Sequence, residues 1–517
     1  MRRRRRWFGF WPEQETIGRR ESKGDMQYSI VCRLLGVITF VLAGAFALCL
    51  GLALVFSELE SVTPAVSGFG ISLLFSLGLA FGFRWMGRNA QPKLFRKEAL
   101  SVIGLGWILA SVLGALPYVI ILKECSWADA WFESASGLTT TGATVFGDVE
   151  GMMPRSLLFW RCLSQWIGGL GIVVLFVAML SNLGAGAKLL ISNESSGQSR
   201  DIDDSTMQEG AKRIMWFYLG LSLVCFISYR LAGISWFDAM CHMLTTVSTG
   251  GFSTLNLGVL GYANETLEWL MIVFMFLGGF SFLFAIKWFR TGRAAWNSGF
   301  EPMVYTALFL GAWLAVALIN GVESHGGQLR QVIRDAGFQV ISIMTTTGYA
   351  TTDFAQWPNP ARWILLGLMV VGGCSGSTAG GLKVIRVATA LRMANLSIEK
   401  TFRANVVRPL RVNGRVMDDG SRDALMGFLM LNAWVFAVGL FALTFMEPSL
   451  DMELGLSAVA ACLFNVGPGF GQVGPMCNYA FLHDSTKLIL GLLMILGRLE
   501  LYAVLVLFFP SLWKRFS

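Results

Sequence analysis

The chain has 517 residues, of which 54% are apolar and only 14% are charged, and its net charge is +8. Because soluble globular domains carry roughly 25% charged residues, this composition excludes an ordinary soluble domain and favours a membrane protein. The basic excess is therefore attributed to membrane orientation rather than to nucleic-acid binding.

Long uncharged stretches recur along the chain, and a transmembrane helix needs about 20 such residues. The first stretch is too long for a signal-peptide core and no A-x-A cleavage site follows it, so no cleavable signal peptide is expected. Ten spans are predicted, at 34–56, 61–83, 99–122, 162–187, 214–229, 269–286, 302–322, 363–382, 424–446 and 488–513.

Basic and acidic residues alternate between successive connections, and this alternation predicts how the spans are oriented. The acidic connections contain Glu58, Asp148, Glu265 and Glu447. The basic clusters lie at 2–6, 84–97, 287–293, 383–422 and 514–515. The positive-inside rule places all of these basic clusters, and both termini, in the cytoplasm.

A short segment of threonine or serine followed by glycine occurs four times between apolar runs. The copies are TTTGA ending at Ala143, STGGF at 248–252, TTTGY at 345–349 and NVGPGFG starting at Asn465. Each copy follows a short apolar stretch that an acid opens, at Asp129, Asp238, Asp335 and Glu453. A single acid before an apolar stretch usually only caps a helix, and a single TTTG usually only forms a turn. Their joint recurrence predicts a tandem unit of span, short re-entrant helix, glycine turn and span.

Four glycine turns at membrane depth have a specific physical use. Non-helical backbone is tolerated there only if it is buried in protein or lines a water-filled cavity. Four turns around one axis would offer a ring of carbonyl oxygens that replaces the hydration shell of a potassium ion. Glycine permits the positive φ that such turns need, and the partly negative ends of the short helices favour a cation.

A repeat that merely packs helices, in a membrane enzyme or a scaffold, is the alternative from another functional class. Arg498 and Glu500 are nearly the only charges deep within predicted spans. A membrane hydrolase or transferase would need several catalytic groups at that depth, so we predict that the chain is not an enzyme.

The stretch GGCSGSTAGG at 372–381 interrupts the eighth predicted span with five glycines in ten residues. Each glycine costs a helix roughly 1 kcal/mol relative to alanine, so a continuous helix is not expected. The stretch lacks the G-x-x-x-x-G-K-[ST] residue order of a phosphate-binding P-loop. Close packing of helices through small residues remains an alternative. We favour a flexible intramembrane loop that obstructs the pore below the filter. Its proposed gating residues are Gly373, Gly376, Ser377, Gly380 and Gly381.

Arg498 is predicted near the middle of the membrane, where a charge costs about 2.5–3.5 kcal/mol on the insertion scale. Glu500 does not share its helix face, so the alternative role is an ion pair with another helix. We favour a cationic barrier beneath the filter that holds the glycine loop through its carbonyl groups. The basic residues after the loop either orient the membrane segments or form a docking surface for a cytosolic partner; they are Lys383, Arg386, Arg392, Lys400 and Arg403.

Cysteine and histidine give few functional indications. Nine cysteines and three histidines show no spacing typical of a metal site. Cys125 and Cys477 both fall in outward-facing connections, so a disulfide between them is possible.

From about residue 28 to its end, the chain resembles the bacterial Trk/Ktr superfamily of potassium-translocating subunits. The resemblance rests on the four filter segments together with RCLSQWIGGLGIVVL at 161–175, GGCSGSTAGGLKVIR at 372–386 and ILGRLELY at 495–502. Two spans precede the first filter-bearing repeat, as in the TrkH/TrkG branch. The resemblance implies a homodimer in the bacterial inner membrane, with one pore in each protomer. It also implies a cytosolic TrkA-type regulatory subunit that binds the NAD or other nucleotide, so that no nucleotide is expected on this chain.

The family's K⁺-coordinating positions fall on the residue pairs that precede the predicted filter glycines. These pairs are Thr140 and Thr141, Ser248 and Thr249, Thr346 and Thr347, and Asn465 and Val466, and the glycines are Gly142, Gly250, Gly348 and Gly467. Relatives that favour sodium carry serine at the first glycine, so Gly142 favours potassium over a Na⁺ or mixed-cation pathway. Pro468 departs from the TVGYG filter of tetrameric potassium channels. In the family, an arginine that matches Arg498 lies at the gate.

The sequence therefore predicts an all-α membrane protein that moves K⁺, and with it Rb⁺, into the cell. The energy source, channel-like flow or H⁺ or Na⁺ symport, is left open. The predicted regions are a basic N-terminus at 1–27, a two-helix extension at 28–92, and pore repeats at 93–190, 205–295, 300–405 and 420–517.

Overall fold

The structure is a computed structural model that describes residues 26–56, 62–90, 95–180, 204–323, 329–403, 409–412 and 415–513. The basic run at 2–6, Glu58 and the pair at 514–515 lie outside these ranges. The described part of the chain is almost entirely helical, with one small hairpin in which Arg411 pairs with Val416 and Val412 pairs with Arg415.

The α-helices are α1 (Tyr28–Val55), α2 (Val62–Met86), α3 (Arg96–Ile121), α4 (Trp127–Leu138), α5 (Val149–Met152), α6 (Arg155–Leu180), α7 (Asp204–Leu231), α8 (Trp236–Val247), α9 (Glu265–Gly279), α10 (Phe282–Thr291), α11 (Phe300–Glu323), α12 (Leu329–Met344), α13 (Asn359–Val371), α14 (Val384–Phe402), α15 (Asp419–Met446), α16 (Met452–Leu463), α17 (Asp484–Arg498), α18 (Tyr502–Leu505) and α19 (Pro510–Trp513). The strands are β1 (Arg411–Val412) and β2 (Arg415–Val416), and 3₁₀ helices occupy Gly258–Tyr262, Gly292–Ser298, Phe354–Gln356, Gly471–Val473 and Val506–Phe508.

Six helices in the described ranges are long and apolar enough to cross a membrane, or eight if each of two bent pairs counts as one span. The predicted span 269–286 is wrong as a single helix, because α9 and α10 meet at an angle of 95°. The predicted span 488–513 is also bent, by 114°, where Glu500 and Leu501 adopt positive φ. The glycine-rich stretch at 372–381 is non-helical, as its composition predicted.

Four short helices, α4, α8, α12 and α16, correspond to the predicted re-entrant pore helices, and each packs between the two other helices of its own unit. The units are α3–α4–α6, α7–α8–α9, α11–α12–α13 and α15–α16–α17. The last helix of each unit also packs against the pore helix of the next unit, and α17 packs against α4, so the four units close into a ring. The hairpin of α1 and α2 lies outside this ring, where α1 contacts α3 and α6.

Three of the pore helices begin at a polar cap, Ser126 for α4, Ser235 for α8 and Asp451 for α16, which explains part of the acidic pattern in the sequence. The Ser126 and Ser235 hydroxyls accept the backbone N–H groups of Asp129 and Asp238, which stand three residues further on as in a capping box. The predicted role of Asp335 at a helix start is wrong, because α12 already begins at Leu329.

Candidate functional site

All four pore helices end in the same turn. Two residues beyond each helix the backbone turns to positive φ, at Thr140 (54°), Thr249 (54°), Thr346 (56°) and Asn465 (57°). In the first unit Thr140 N–H donates to Gly137 O and Thr141 N–H donates to Ser136 O, and the other three units repeat both bonds. This is the Schellman motif, with threonine or asparagine where glycine is usual. A left-handed conformation costs such residues roughly 1–2 kcal/mol, and strain repeated at four equivalent places indicates a functional constraint.

A second positive φ follows two residues later, and it corrects the sequence alignment in one unit. The residues are Gly142 (83°), Gly251 (80°), Gly348 (81°) and Gly467 (98°). The structural counterpart of Gly142 in the second unit is therefore Gly251, and the predicted counterpart Gly250 is wrong by one position. Ser248 is a helix-capping residue like Thr139, and Gly250 corresponds to Thr141. We call 139–142, 248–251, 345–348 and 464–467 the filter segments.

The filter segments meet in a closed ring in chain order. A Cβ added to Gly142 would collide with the carbonyl oxygen of Gly250, and one added to Gly251 would collide with that of Thr347. The same relation joins Gly348 to Val466 and Gly467 to Thr141. Each segment's glycine therefore gives room to a carbonyl group of the next segment, and the fourth segment returns to the first.

A cavity of about 140 Å³ lies against one side of this ring. Its lining includes the four positive-φ glycines and residues that follow the filter segments, among them Arg161, Asn256 and Asn478. The Asn256 amide donates to Asp148 Oδ1 at 2.8 Å across the first and second units, which lowers the pKa of the Asp148 carboxyl. The cavity therefore opens on the side where the acidic connection that contains Asp148 lies.

Side chains behind the ring fix its backbone. Gln165 Nε2 donates to Gly250 O at 2.6 Å, and its Oε1 accepts Phe252 N–H at 3.1 Å. Tyr479 OH donates to Gly467 O at 2.8 Å, and Asn465 Nδ2 donates to Thr141 Oγ1 at 3.0 Å. Two backbone oxygens of the filter segments are thus held by hydrogen bonds from neighbouring side chains.

The opposite side of the ring faces the glycine-rich loop at 372–383. Gly380 N–H donates to Thr346 Oγ1 at 2.6 Å, and a Cβ at Gly380 would lie 2.6 Å from Phe464 O. The Thr378 hydroxyl contacts Val247 O at 2.9 Å. The loop therefore touches the second, third and fourth units where their pore helices end. Gly373, Gly376, Ser377, Gly380 and Gly381, all predicted as gating residues, belong to this loop.

Arg498 donates a hydrogen bond to this loop. It is 7% exposed, and its Nη1 donates to Thr378 O at 2.7 Å. Within the described residues no carboxylate lies within ion-pair distance of Arg498, and its Nε has no hydrogen-bond partner. Glu500 instead forms a two-bond pair with Arg386, at 3.0 and 2.6 Å. Arg386 is therefore turned toward the helix bundle, and its predicted role in a docking surface is not supported.

Sequence reasoning missed several polar residues that the fold brings to the site. Glu301 Oε1, on α11, accepts Ser375 N–H of the loop at 2.6 Å. Arg161 pairs with Glu133 at 2.7 Å, and both side chains are almost fully buried. Arg161 also donates to Ser253 O at 3.1 Å, and so connects the first unit to the second. Arg161 and Gln165 are one turn apart in the quoted motif RCLSQWIGG, a spacing that could have indicated a shared polar face.

Ion pairs join the other neighbouring units. Each connects the helix that follows one filter segment to the pore helix of the next unit. The pairs are Arg334 with Glu265 and Glu268, Arg362 with Glu453, and Lys487 with Asp129. The last pair, at 2.6 Å, closes the ring between the fourth and first units, which are not consecutive in sequence.

We expect Lys487→Met to destabilise the protein, because it leaves the Asp129 carboxylate without its cation. The Lys487 side chain is 6% exposed, and breaking a buried pair costs up to about 3–5 kcal/mol. The measurement is the midpoint of thermal unfolding in detergent, followed by size-exclusion chromatography. Lys487→Arg keeps the charge and serves as the control. Equal midpoints for Lys487→Met and the original chain would contradict a stabilising role.

All nine cysteines are free, so the disulfide considered between Cys125 and Cys477 is not formed. Among the described residues no group of three or more histidine, cysteine, aspartate or glutamate side chains is arranged to hold a metal ion.

Comparison with known proteins places this geometry among characterised relatives. The family described as "TrkH: Cation transport protein" matches residues 68–297 and 315–515. The Trk system potassium uptake protein TrkH of Halomonas elongata is 33% identical over 482 residues, which cover 90% of this chain and 98% of that protein. TrkG of Escherichia coli K12 is 32% identical over 434 residues, covering 83% of this chain and 87% of that protein.

A solved structure has the same architecture. The crystal structure of the potassium transporter TrkH from Vibrio parahaemolyticus superposes with a TM-score of 0.83 and 29% sequence identity, and the match covers 95% of this chain and all of that one. The likeness confirms the predicted all-α membrane fold. The relatives are named as transport proteins, which confirms the prediction of transport rather than catalysis.

Proposed function

The chain belongs to the TrkH family of cation transport proteins, and we propose that it takes up K⁺, and with it Rb⁺, through the ring of filter segments. It is a multi-pass membrane protein whose curated relatives are potassium uptake proteins. The observation that carries the proposal is the closed ring of four strained turns, each ending a pore helix. A buried polar ring with a cavity on one side suits an ion that exchanges water for protein oxygens.

The proposed K⁺ ligands are backbone and hydroxyl oxygens of the predicted pairs. They are Thr140 and Thr141, Thr249 with Gly250, Thr346 and Thr347, and Asn465 with Val466, so that Ser248 moves out of the set. Thr140 Oγ1 is buried without a hydrogen-bond partner among the described residues. A buried oxygen of this kind ordinarily has a partner, and a cation or its hydration water would be one.

We propose that the loop at 372–383 is the gate. It contacts the third and fourth filter segments and the end of the second pore helix at Val247, and the buried Arg498 donates a hydrogen bond to it. The loop opens when two hydrogen bonds break, the one that Arg498 Nη1 donates to Thr378 O and the one that Ser375 N–H donates to Glu301 Oε1. In this proposal the pore is built from the four units at 93–190, 205–295, 300–405 and 420–517. The two-helix extension at 28–92 precedes them in the chain and does not line the pore.

The assembly is proposed from the family. Other Trk components are implied by the names of the relatives. We propose a homodimer in the bacterial inner membrane, with both termini in the cytoplasm. A TrkA-type subunit would bind the regulatory nucleotide outside this chain.

The test is the reversal potential of the purified protein in lipid vesicles under opposing K⁺ and Na⁺ gradients, with and without a pH gradient. We expect a potential close to the K⁺ equilibrium value and little effect of the pH gradient. A potential set by Na⁺ would instead favour the alternative Na⁺ or mixed-cation pathway. Absence of flux in an otherwise folded protein would contradict transport by this chain alone.

A further inference from the structure

Helix α10 (Phe282–Thr291) has two faces of different character. Phe282 and Phe284 are buried against the protein, whereas Trp288 is 44% exposed and Phe289 is 73% exposed. Because α10 turns through 95° from α9, it runs close to the plane of the membrane if α9, whose 15 residues rise about 22 Å, runs along the membrane normal from one face toward the other. Its exposed aromatic rings then lie at the level where lipid tails meet headgroups.

The same segment is basic and carries no acid. Arg290 and Arg293 are exposed, Lys287 lies one turn before Arg290, and no aspartate or glutamate occurs between Phe282 and Phe300. Exposed aromatic residues beside arginine and lysine are the pattern by which amphipathic helices bind membrane surfaces that contain anionic lipids. Each basic residue near such a surface strengthens binding by about fivefold.

The break before α10 is hydrogen-bonded to the glycine loop. Phe282 N–H donates to Gly376 O at 3.2 Å, and Cys374 N–H donates to Gly279 O at 2.9 Å. Thr378 N–H donates to Gly278 O at 3.3 Å, and the Thr378 carbonyl is the group that Arg498 binds. Movement of α10 away from the membrane surface would therefore strain the bond from Phe282 directly, and through the break it would disturb the two bonds to the last carbonyl groups of α9.

We propose that α10 binds the phosphate groups of anionic phospholipids, and that this binding stabilises the glycine loop in its observed position against the filter. A ligand favours the conformation to which it binds more tightly, and the observed position of α10 is the one that presents its basic and aromatic face to the membrane. Anionic lipid is then a negative regulator of flux. The inference rests on the proposed function in one respect, namely that the loop is the gate.

The test compares Rb⁺ flux in vesicles of phosphatidylcholine alone with flux in vesicles that also contain phosphatidylglycerol. For the original chain we expect flux at least about fivefold higher in phosphatidylcholine alone, because each of the three basic residues strengthens binding to an anionic surface by about that factor. The double variant Arg290→Gln, Arg293→Gln keeps only Lys287 and should show a much smaller difference between the two lipids. Native mass spectrometry should show less phosphatidylglycerol retained by this variant, whatever its transport activity.

The matched control lies at the end of α2, where Arg84 and Arg88 flank the exposed Trp85. This segment has the same chemistry, but α2 packs against α1 and α3 rather than against the loop. Arg84→Gln, Arg88→Gln should keep the lipid dependence of flux. Equal flux of the original chain in both lipids, or loss of the dependence in this control, would overturn the proposal. If no variant transports Rb⁺ but lipid retention differs as expected, the proposed function fails while lipid binding by α10 stands.

Discussion

Gly251→Ala is expected to reduce K⁺ transport by at least about tenfold, because alanine at positive φ costs roughly 1–2 kcal/mol and distorts the filter. The added Cβ would also collide with the carbonyl oxygen of Thr347, a backbone atom that can move only with the whole third filter segment. A shift of the third filter segment would also move the fourth, because the glycine of each segment contacts a carbonyl group of the next one. The measurement is Rb⁺ uptake by vesicles that contain equal amounts of folded protein.

Gly250→Ala is the matched control for this prediction. Its counterparts Thr141, Thr347 and Val466 all carry a Cβ, so the backbone at this position accepts one. The nearest atoms to an added Cβ belong to the side chain of Gln165, so alanine here would disturb the two hydrogen bonds of Gln165 but would not displace the backbone of the third filter segment. We therefore expect a smaller loss than for Gly251→Ala. Equal losses, or normal transport by Gly251→Ala, would contradict the alignment of the second filter segment with the others.

The fourfold architecture could be predicted from the sequence because each unit repeats the same order of apolar run, short helix and glycine turn. The exact alignment of the second unit could not, since STGGF offers two adjacent glycines and only the backbone angle distinguishes Gly250 from Gly251. A local sequence pattern shows that a turn occurs here. Which of the two glycines adopts the positive φ depends on the contact with the neighbouring filter segment, which the local sequence does not contain.

The breaks in two predicted spans were missed for a related reason. Hydropathy measures how apolar a segment is and not its direction, so 269–286 appears continuous although α9 ends at Gly279. A Cβ at Gly279 would collide with Thr345, and Ser281 caps the next helix by accepting Phe284 N–H. The partners of Glu301 and Arg386 lie far away in the sequence, so no local pattern could reveal them. Arg498 was predictable because an arginine within an apolar run needs a polar environment wherever its partner lies.

Arg498→Ala is expected to raise K⁺ flux by about tenfold or more, since a hydrogen bond to a charged group contributes roughly 1.5–3 kcal/mol and its loss favours an open loop by that amount. The substitution also removes a positive charge from beneath the filter, where a passing cation would be repelled. Both effects act in the same direction. The measurement is Rb⁺ flux through vesicles at a known number of protein molecules, together with the K⁺/Na⁺ reversal potential.

Two control variants separate these contributions. Arg498→Lys keeps the positive charge but replaces the planar guanidinium, so the electrostatic barrier remains while the hydrogen bond to Thr378 O weakens. Its flux should lie between that of the original chain and that of Arg498→Ala. Arg386→Gln breaks the two-bond ion pair between Arg386 and Glu500, which lies away from the filter segments. This variant should change the stability of the protein more than its flux. Unchanged flux in Arg498→Ala, or an equal rise in Arg386→Gln, would contradict a specific barrier. Selectivity should be retained in all three variants, because Arg498 contacts the loop and not the filter segments.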